Sequence, residues 1–598
     1  MKTKKIITLT IFIFITINIL DPVTPGLNIV KNKTIAKEKQ ISSTNGNILY
    51  VGGDGANNYT FINDAIKAAS DNDTIFVYNG TYYEYIRLYK SLKIIGENKN
   101  STIIDCLDKT DVIRIIADNV SIKNFTINDA GQNFWYKTDA GVEITKNHNN
   151  INIENNIISN GYCGVLLQDS DNVTIKNNIF QKNNGPSIWL FGESRNNKII
   201  ENEIHRNKND NGGGIWLQNL SANNTIKNNN FTNCGVFFFG NTIDHFTQNI
   251  EGNIINDKPL FYSINQNKVK IPDDAVNIIL VNCSNTRLNN KNIGYTEVGV
   301  LLAFCRNITI NNSFFSNCNA GVGLVNADNC TITNNNITNI GDAIIIRYSN
   351  DNIIKNNIIF KANRLGIEAI QSNNNLIVEN IVSTNYSTRN IELLSSYNNQ
   401  VYHNNFLVYK KNINHPYYIA VDTGLNQWDD GQLGNYWWDY EEKNLDAENN
   451  GLTYEEPYEI APYNTIDRHP LVKPIGMCSN PPGKPADIYG SRFGGKNKIH
   501  TYNTTSTDPD GDEIYYIWDW GDGTNSGWLG PSSSGSTMIV NKTWEKIGIY
   551  KIRVKARDIY GFDSEWSEPI KVIIRREKKT IKNITIELLQ KLYRLFTG

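Results

Sequence analysis

Five charged residues recur late in this chain: Arg347, then Arg364 and Glu368, then Arg389 and Glu392. Eliminative cleavage of a uronate polymer needs a cation to neutralise the sugar carboxylate and a base to take the C5 proton, and this set supplies both. The same five also read as a solvated ladder of alternating charge, each pair worth well under about 1 kcal/mol. A second set is aromatic: Trp189, Phe191, Trp216, Phe237 and Phe239 occupy matching positions of three successive segments. Sugar rings present flat CH faces that pack on aromatic rings, and a contiguous apolar patch usually marks binding. The stripe is therefore a candidate glycan platform, unless an insert or loop buries it. Oxygen-rich turns suit calcium. Asp446, Glu448 and Asn450 before Gly451 look like the first half of a calcium loop, and Asp508, Asp510 and Asp512 form an acidic turn that either holds calcium or caps a loop.

The elements that must position these residues follow from a repeated phrase: Asn155-Asn156-Ile157, Asn177-Asn178-Ile179, Asn335-Asn336-Ile337, Asn356-Asn357-Ile358 and Asn404-Asn405-Phe406. Ile157, Ile179 and Ile204 stand 22 and 25 residues apart, and a fixed period of this size means a solenoid. Each repeat holds two or three short alternating segments joined by Asn, Asp, Gly and Ser turns, which leaves no room for a helix, so the coils are strands. Asparagine suits the turns because it tolerates left-handed backbone angles, and amides on successive coils can bond as a ladder. Strand alternation then puts Val165, Ile188, Ile215 and Val236 inside, and Leu166, Trp189, Trp216 and Phe237 outside. The next outward slot holds Gln168, Phe191, Gln218 and Phe239, with about 4.8 Å between rungs.

Around the array, residues 1–25 carry Lys2, Lys4 and Lys5 before an apolar run from Ile6 to Leu20, the layout of an export signal or an uncleaved anchor. This predicts an extracellular or cell-surface protein whose membrane contact is confined to that segment. Residues 26–47 are a polar leader. The coils span 48–406, opening with a helix around Phe61 to Ala69 that covers the first rung. The period breaks between Asp257 and Val276, where a hairpin inserted into one turn is predicted. Residues 407–475, rich in aromatic and acidic side chains, read as a C-terminal cap, 476–485 as a linker, 486–575 as a small β-sandwich, and 576–598 as a basic tail. Lys and Arg number 58 against 60 Asp and Glu, so no basic footprint for nucleic acid exists. Eight Cys in a chain of 598 residues do not make a disulfide scaffold. Cys283 and Cys305 fall in matching slots and form either a bridge between rungs or an unbonded stack.

Two resemblances attach to these segments. YVGGDG, NYTFINDAIKAAS, DTIFVYNGTYYE and SLKIIGENKNSTIIDC, with the Asn-Asn-Ile coils and the stretch from GNYWWDY to DRHPLV, resemble NosD-type right-handed parallel β-helix proteins of the pectin-lyase-like class. WDWGDGT at Trp518 to Thr524 and GIYKIRVKARD at Gly548 to Asp558 are similar to a PKD (polycystic kidney disease) domain. The resemblance implies an all-β chain: a single-stranded right-handed parallel β-helix, then an immunoglobulin-like sandwich acting as a spacer or adhesion module. Where such families often carry DxDxDG, the stretch from Asp446 to Gly451 is degraded. Copper, which the NosD resemblance implies, would want Met, Cys or His clusters; only Met1, Met477 and Met538 occur, and the seven His are scattered. The expected partner is a polysaccharide or surface glycan, with no cofactor other than calcium. The leading expectation is a non-catalytic surface β-helix protein that binds polysaccharide or serves in adhesion; the alternative is a pectate-lyase-like enzyme.

Overall fold

The computed structural model describes residues 46–576, apart from 134–137, 207–212, 386–387, 411–417, 463–464 and 477–478, together with 590–591 and 593–595. The predicted export signal, almost all of the leader and most of the basic tail lie outside the described residues. From Gly46 onward the chain forms one unit.

The repeat folds into a parallel β-solenoid of about 15 turns. Segments such as Asn152–Glu154, Thr174–Lys176 and Lys198–Ile200 stack into a nine-stranded parallel sheet, while Ala140–Ile144, Cys163–Gln168, Ile188–Phe191, Ile215–Gln218 and Val236–Phe239 stack into a seven-stranded one. The pairing register sets Val165 against Ile188 and Ile215 against Val236, all buried in the bore. Burying one such aliphatic side chain contributes about 1.5–3 kcal/mol, and the coils repeat it many times.

The asparagines divide into two classes. Those just before the turn, Asn155, Asn177 and Asn356, sit at φ of 56°, 56° and 54°, the left-handed region where asparagine is tolerated. The next residue points inward. Asn156, Asn178, Asn202, Asn229 and Asn253 form one buried file, each Nδ2 donating to the next Oδ1 at 2.9–3.1 Å. Asn335, Asn357, Asn380, Asn404 and Asn435 form another. Each Oδ1 also accepts the preceding coil's backbone N–H, as Asn357 does from Asn335 at 3.1 Å. Turn polar groups that would otherwise be orphaned are thus satisfied from rung to rung. The second file ends on Asp467, whose Oδ2 accepts the Asn435 N–H at 2.7 Å and the Trp437 indole N–H at 2.8 Å.

Both ends are covered. Helix Ile62–Ala68 lays Ile62, Ala65 and Ile66 on the first coil. Glu84 accepts the N–H groups of Ile62 and Asn63 at its N-terminus, and Lys90 donates to the carbonyls of Ile66, Lys67 and Ala69 at its C-terminus. At the other end Trp428, Trp437, Trp438, Tyr440, Tyr454 and Tyr458 are buried, with Trp437 stacked on Tyr458 at 4.1 Å.

The insert differs from the expected hairpin. Lys258–Ile264 pairs antiparallel with Ile254–Ile255 but parallel with Val276–Val281, so it becomes an added rung below the next coil. Cys283 and Cys305 are buried free thiols that donate to backbone carbonyls.

The C-terminal sandwich joins a three-stranded sheet (Tyr489–Gly490, His500–Thr505, Thr537–Lys542) to a five-stranded one (Phe493–Gly495, Ile570–Arg575, Gly548–Asp558, Ile514–Asp519, Leu529–Ser532). It is not a tethered spacer: Tyr515, Ile517 and Trp528 belong to the same apolar cluster as the solenoid core. The Arg557 guanidinium, 2% exposed, lies 4.0 Å from the Trp528 ring centre and 5.0 Å from that of Trp438, and donates to the Trp438 carbonyl. Arg557 and Lys555 both pair with Glu441 of the cap and with Asp563. Burial alone would raise the Asp563 carboxyl, but the two cations outweigh it and hold it below its usual range.

Candidate functional site

The outer face of the seven-stranded sheet carries the residues singled out for sugar contact. Register places Arg87, Arg114, Glu143, Leu166, Trp189, Trp216 and Phe237 in one file up the solenoid. Seven rungs at 4.8 Å span about 29 Å. The expectation of an open aromatic platform needs correction. Trp189 is 7% exposed and Trp216 is 4% exposed. The rings cover one another: Trp189 meets Trp216 at 5.9 Å and 76°, and Trp216 meets Phe239 at 5.4 Å and 61°. Edge-to-face contact is what ring quadrupoles favour, and it turns faces inward that a platform would present to solvent. Ala140, Cys163 and Leu166 complete this cluster outside the bore, with Tyr162, Phe191, Phe237 and Phe239 packed on it.

What the file offers to solvent is its rim. Phe191, Phe237, Phe239 and Tyr162 are half-buried, as are the amides of Gln168 and Gln218. Gln218 Oε1 accepts the Trp189 indole N–H at 3.0 Å, and Gln168 donates to Glu143 at 3.1 Å. Glu143 also pairs with Arg114 at 3.1 Å, and Arg87 one rung below is exposed. The alternation of outward slots points to Gln168 and Gln218; Arg87, Arg114 and Glu143 occupy the equivalent slot in the coils before Val165. No such slot marks Glu297. It is buried beside the Trp216 indole, takes Asn319 Nδ2 at 3.3 Å and the Gly214 N–H at 3.3 Å, and its carboxyl is pushed up by burial against the charge of Arg206.

The later charged set lies on a different sheet, on strands Asn336–Arg347, Ile358–Ile370 and Arg389–Leu394. Glu368 and Glu392 are register neighbours, both nearly buried. Arg347 donates twice to Glu368, at 2.7 and 3.0 Å, and Arg389 pairs with Glu392. Arg364 turns away from this group, to Asp342 at 2.8 Å and to the Asn319 carbonyl at 2.9 Å. Burial raises the Glu392 carboxyl; Arg389 opposes this and Glu368 adds to it. Four of the five candidates are therefore brought together, as ion pairs rather than as a free acid and a free cation.

The oxygen-rich turns separate. Asp446 is taken by Arg553 at 2.6 Å, and Asn450 closes its own turn by accepting the N–H groups of Leu452 and Thr453, so two of the three residues of the expected calcium loop make structural contacts. Asp508, Asp510 and Asp512 instead converge.

The coils, caps and sandwich define the class: the chain is a right-handed β-helix repeat protein carrying a PKD domain. Residues 96–259 match the family described as right handed beta helix region, 239–442 the family described as periplasmic copper-binding protein (NosD), and 486–574 the PKD domain family. No curated protein matches the chain. Among solved structures, the PKD domain of an M14-like peptidase from Thermoplasmatales archaeon SCGC AB-540-F20 is 36% identical over 17% of this chain and 100% of its own, with a TM-score of 0.16. The Azotobacter vinelandii mannuronan C-5 epimerase AlgE6 A-module is 12% identical over 61% of this chain and 92% of its own, with a TM-score of 0.26. The catalytic domain of a GH87 alpha-1,3-glucanase in complex with nigerose is 12% identical over 66% of each chain, with a TM-score of 0.27.

Copper, as that family description has it, needs clustered thioether, thiolate or imidazole ligands. Among the described residues the one group of three or more His, Cys, Asp or Glu side chains with metal-binding spacing is Asp508, Asp510 and Asp512. That set is all oxygen and lies outside the matched stretch, so the described residues do not fit copper.

Proposed function

We propose that the protein is an exported, surface-located, non-catalytic binder of an extended polysaccharide, held along the outer file from Arg87 to Phe239. The observation that carries this reading is the straight file of about 29 Å, in which the cations Arg87 and Arg114 precede the half-buried rings Phe191, Phe237 and Phe239 and the amides Gln168 and Gln218. Buried Trp189 and Trp216 act as the rigid backing of that rim rather than as stacking faces. Ring edges and amides suit neutral parts of a sugar chain, and the guanidinium groups suit a carboxylated one. The pairing of Glu368 with Arg347 and of Glu392 with Arg389 supports a non-catalytic reading, because each carboxylate is already held by an arginine and must give up that pair before it can meet a substrate proton.

One observation favours a second reading, a uronate-polymer lyase: Glu368 and Glu392 are adjacent carboxylates, and burial raises the Glu392 carboxyl above its ordinary value. Affinity electrophoresis of the purified chain through neutral and uronate polysaccharides, with ultraviolet detection of unsaturated products, separates the two. Retardation without product supports binding, product supports the lyase, and neither defeats both.

A further inference from the structure

We propose that Asn119, Asn172 and Asn223 are acceptors for an N-linked glycan carried along one corner of the β-helix, a modification that rests on the export proposed above. Each opens an Asn-x-Ser/Thr triplet: Asn119-Val120-Ser121, Asn172-Val173-Thr174 and Asn223-Asn224-Thr225. That triplet is the acceptor pattern for oligosaccharide transfer to asparagine in secreted chains.

The triplet alone assigns nothing in a chain this rich in asparagine; its placement in the fold does the selecting. All three asparagines occupy one slot, the left-handed turn that leads into the nine-stranded sheet, at φ of 58°, 56° and 56°. The middle residue of each triplet, Val120, Val173 or Asn224, is buried. The asparagine before it is exposed and the hydroxyl residue after it is half-buried, so both face outward. Register places Ser121, Asn152, Thr174, Lys198 and Thr225 on successive rungs. The triplets therefore fall on every second rung, about 9.6 Å apart. The rungs between carry Asn150-Ile151-Asn152 and Asn196-Asn197-Lys198, which lack the hydroxyl. A sugar chain is wider than one rung spacing, so alternate rungs leave each glycan room.

Hydrogen bonding sets these amides apart from the inward ones. Asn178 Nδ2, in the buried file, donates to both Ile153 O and Asn202 Oδ1. Among the described residues Asn172 and Asn223 make no side-chain hydrogen bond, and Asn119 only accepts one, from Asn150 at 3.3 Å, so all three keep Nδ2 unspent. Asn58, which opens Asn58-Tyr59-Thr60, is the contrast: it is half-buried and donates Nδ2 to Gly52 O at 2.6 Å in the turn before the cap helix. The turn into the later six-stranded sheet has triplets at Asn307 and Asn329 on adjacent rungs, where the spacing admits one glycan. Asn307 Nδ2 is taken by Asn285 Oδ1 at 3.2 Å, which leaves Asn329. The donor is a polyisoprenyl-phosphate-linked oligosaccharide of the exporting cell. Asparagine Nδ2 attacks C1 of its first sugar; the N–C1 bond forms, the C1–O bond breaks, the phosphate leaves with the electron pair, and one amide proton is released.

The test is peptide mapping by mass spectrometry of the full chain purified from the surface or medium of the organism that encodes it. Peptides holding Asn119, Asn172 and Asn223 should each exceed their sequence mass by one glycan, and the peptide holding Asn58 should not. Thr174→Val, expressed in the same organism, should lose the glycan at Asn172 alone. Ser121→Ala and Thr225→Ala make the same test at Asn119 and Asn223 should that variant fail to fold. Sequence mass at two or more of the three asparagines of the exported chain, or a glycan at Asn172 that survives Thr174→Val, overturns the proposal and leaves export standing. A chain found only inside the cell overturns both.

Discussion

Replacing Asn357 with alanine tests whether the buried amide file, rather than the turn it adjoins, holds successive coils together. In the native chain Asn357 Oδ1 accepts both the backbone N–H and the amide of Asn335, at 3.1 and 2.9 Å, while its Nδ2 donates to Ile332 O at 2.8 Å, Asn380 Oδ1 at 3.0 Å and Lys355 O at 3.1 Å. Alanine removes all five bonds and leaves the Asn335 N–H groups buried without that acceptor. At about 1 kcal/mol per net bond and 1–3 kcal/mol for each buried group left unmade, a loss of about 3–5 kcal/mol is expected. Two neighbours calibrate it. Asn356→Ala, at φ 54°, keeps the file and should cost about 1 kcal/mol through the left-handed backbone. Asn336→Ala, on an exposed position, should stay within about 0.5 kcal/mol. Urea unfolding followed by far-ultraviolet circular dichroism reads the three midpoints. Equal midpoints for Asn357→Ala and Asn336→Ala would refute the ladder as the source of coil cohesion.

Two further predictions concern the C-terminal end. Arg557→Met keeps an apolar stem but leaves Lys555 as the remaining cation on Glu441 and Asp563, and breaking a buried pair of this kind costs about 3–5 kcal/mol. The PKD domain should then separate from the cap, read as a larger radius of gyration in solution scattering and faster cleavage at residues 479–485; unchanged scattering would count against the docking energetics. Asp467 is fully buried, and its carboxyl is pushed up to about 7 by that burial despite the N–H groups it accepts. The folded chain therefore keeps a proton that the unfolded chain has released above about pH 4, so stability should fall as pH rises from about 4 to 7, by on the order of 4 kcal/mol. Asp558, at about 6, acts in the same direction. The urea midpoint should be higher at pH 5 than at pH 8, and Asp467→Asn should remove most of the difference; a midpoint that is higher at pH 8 contradicts the assignment.

The coil register was legible in the chain because side-chain alternation and the Asn-Asn-Ile spacing both repeat at every turn. Val165, Ile188, Ile215 and Val236 occupy the bore for that reason. What alternation cannot say is what covers an outward residue. Trp189 and Trp216 point out of the coil as expected, and are nonetheless buried by rings on adjacent rungs whose rotamers the sequence does not encode locally. Arg557 shows the same gap at longer range. In GIYKIRVKARD it reads as one more solvated strand cation, yet its partners Trp438 and Glu441 lie more than a hundred residues earlier. The insert from 258 to 264 was visible as a break in period. Its fate as an added rung depended on the open edge of Val276–Val281, which is set by the fold rather than by its own composition.

The outer file from Arg87 to Phe239 is proposed to bind an extended polysaccharide without cleaving it. Calorimetric titration of the purified chain with defined uronate and neutral oligosaccharides, alongside an Arg87→Ala, Phe191→Ala and Phe239→Ala triple variant, tests it most directly. Saturable binding that strengthens with oligosaccharide length up to the reach of the file, at least tenfold weaker binding in a folded triple variant, and no unsaturated product are expected. Binding that is unchanged in the variant, or absorbance from unsaturated sugar released by the native chain, would contradict it.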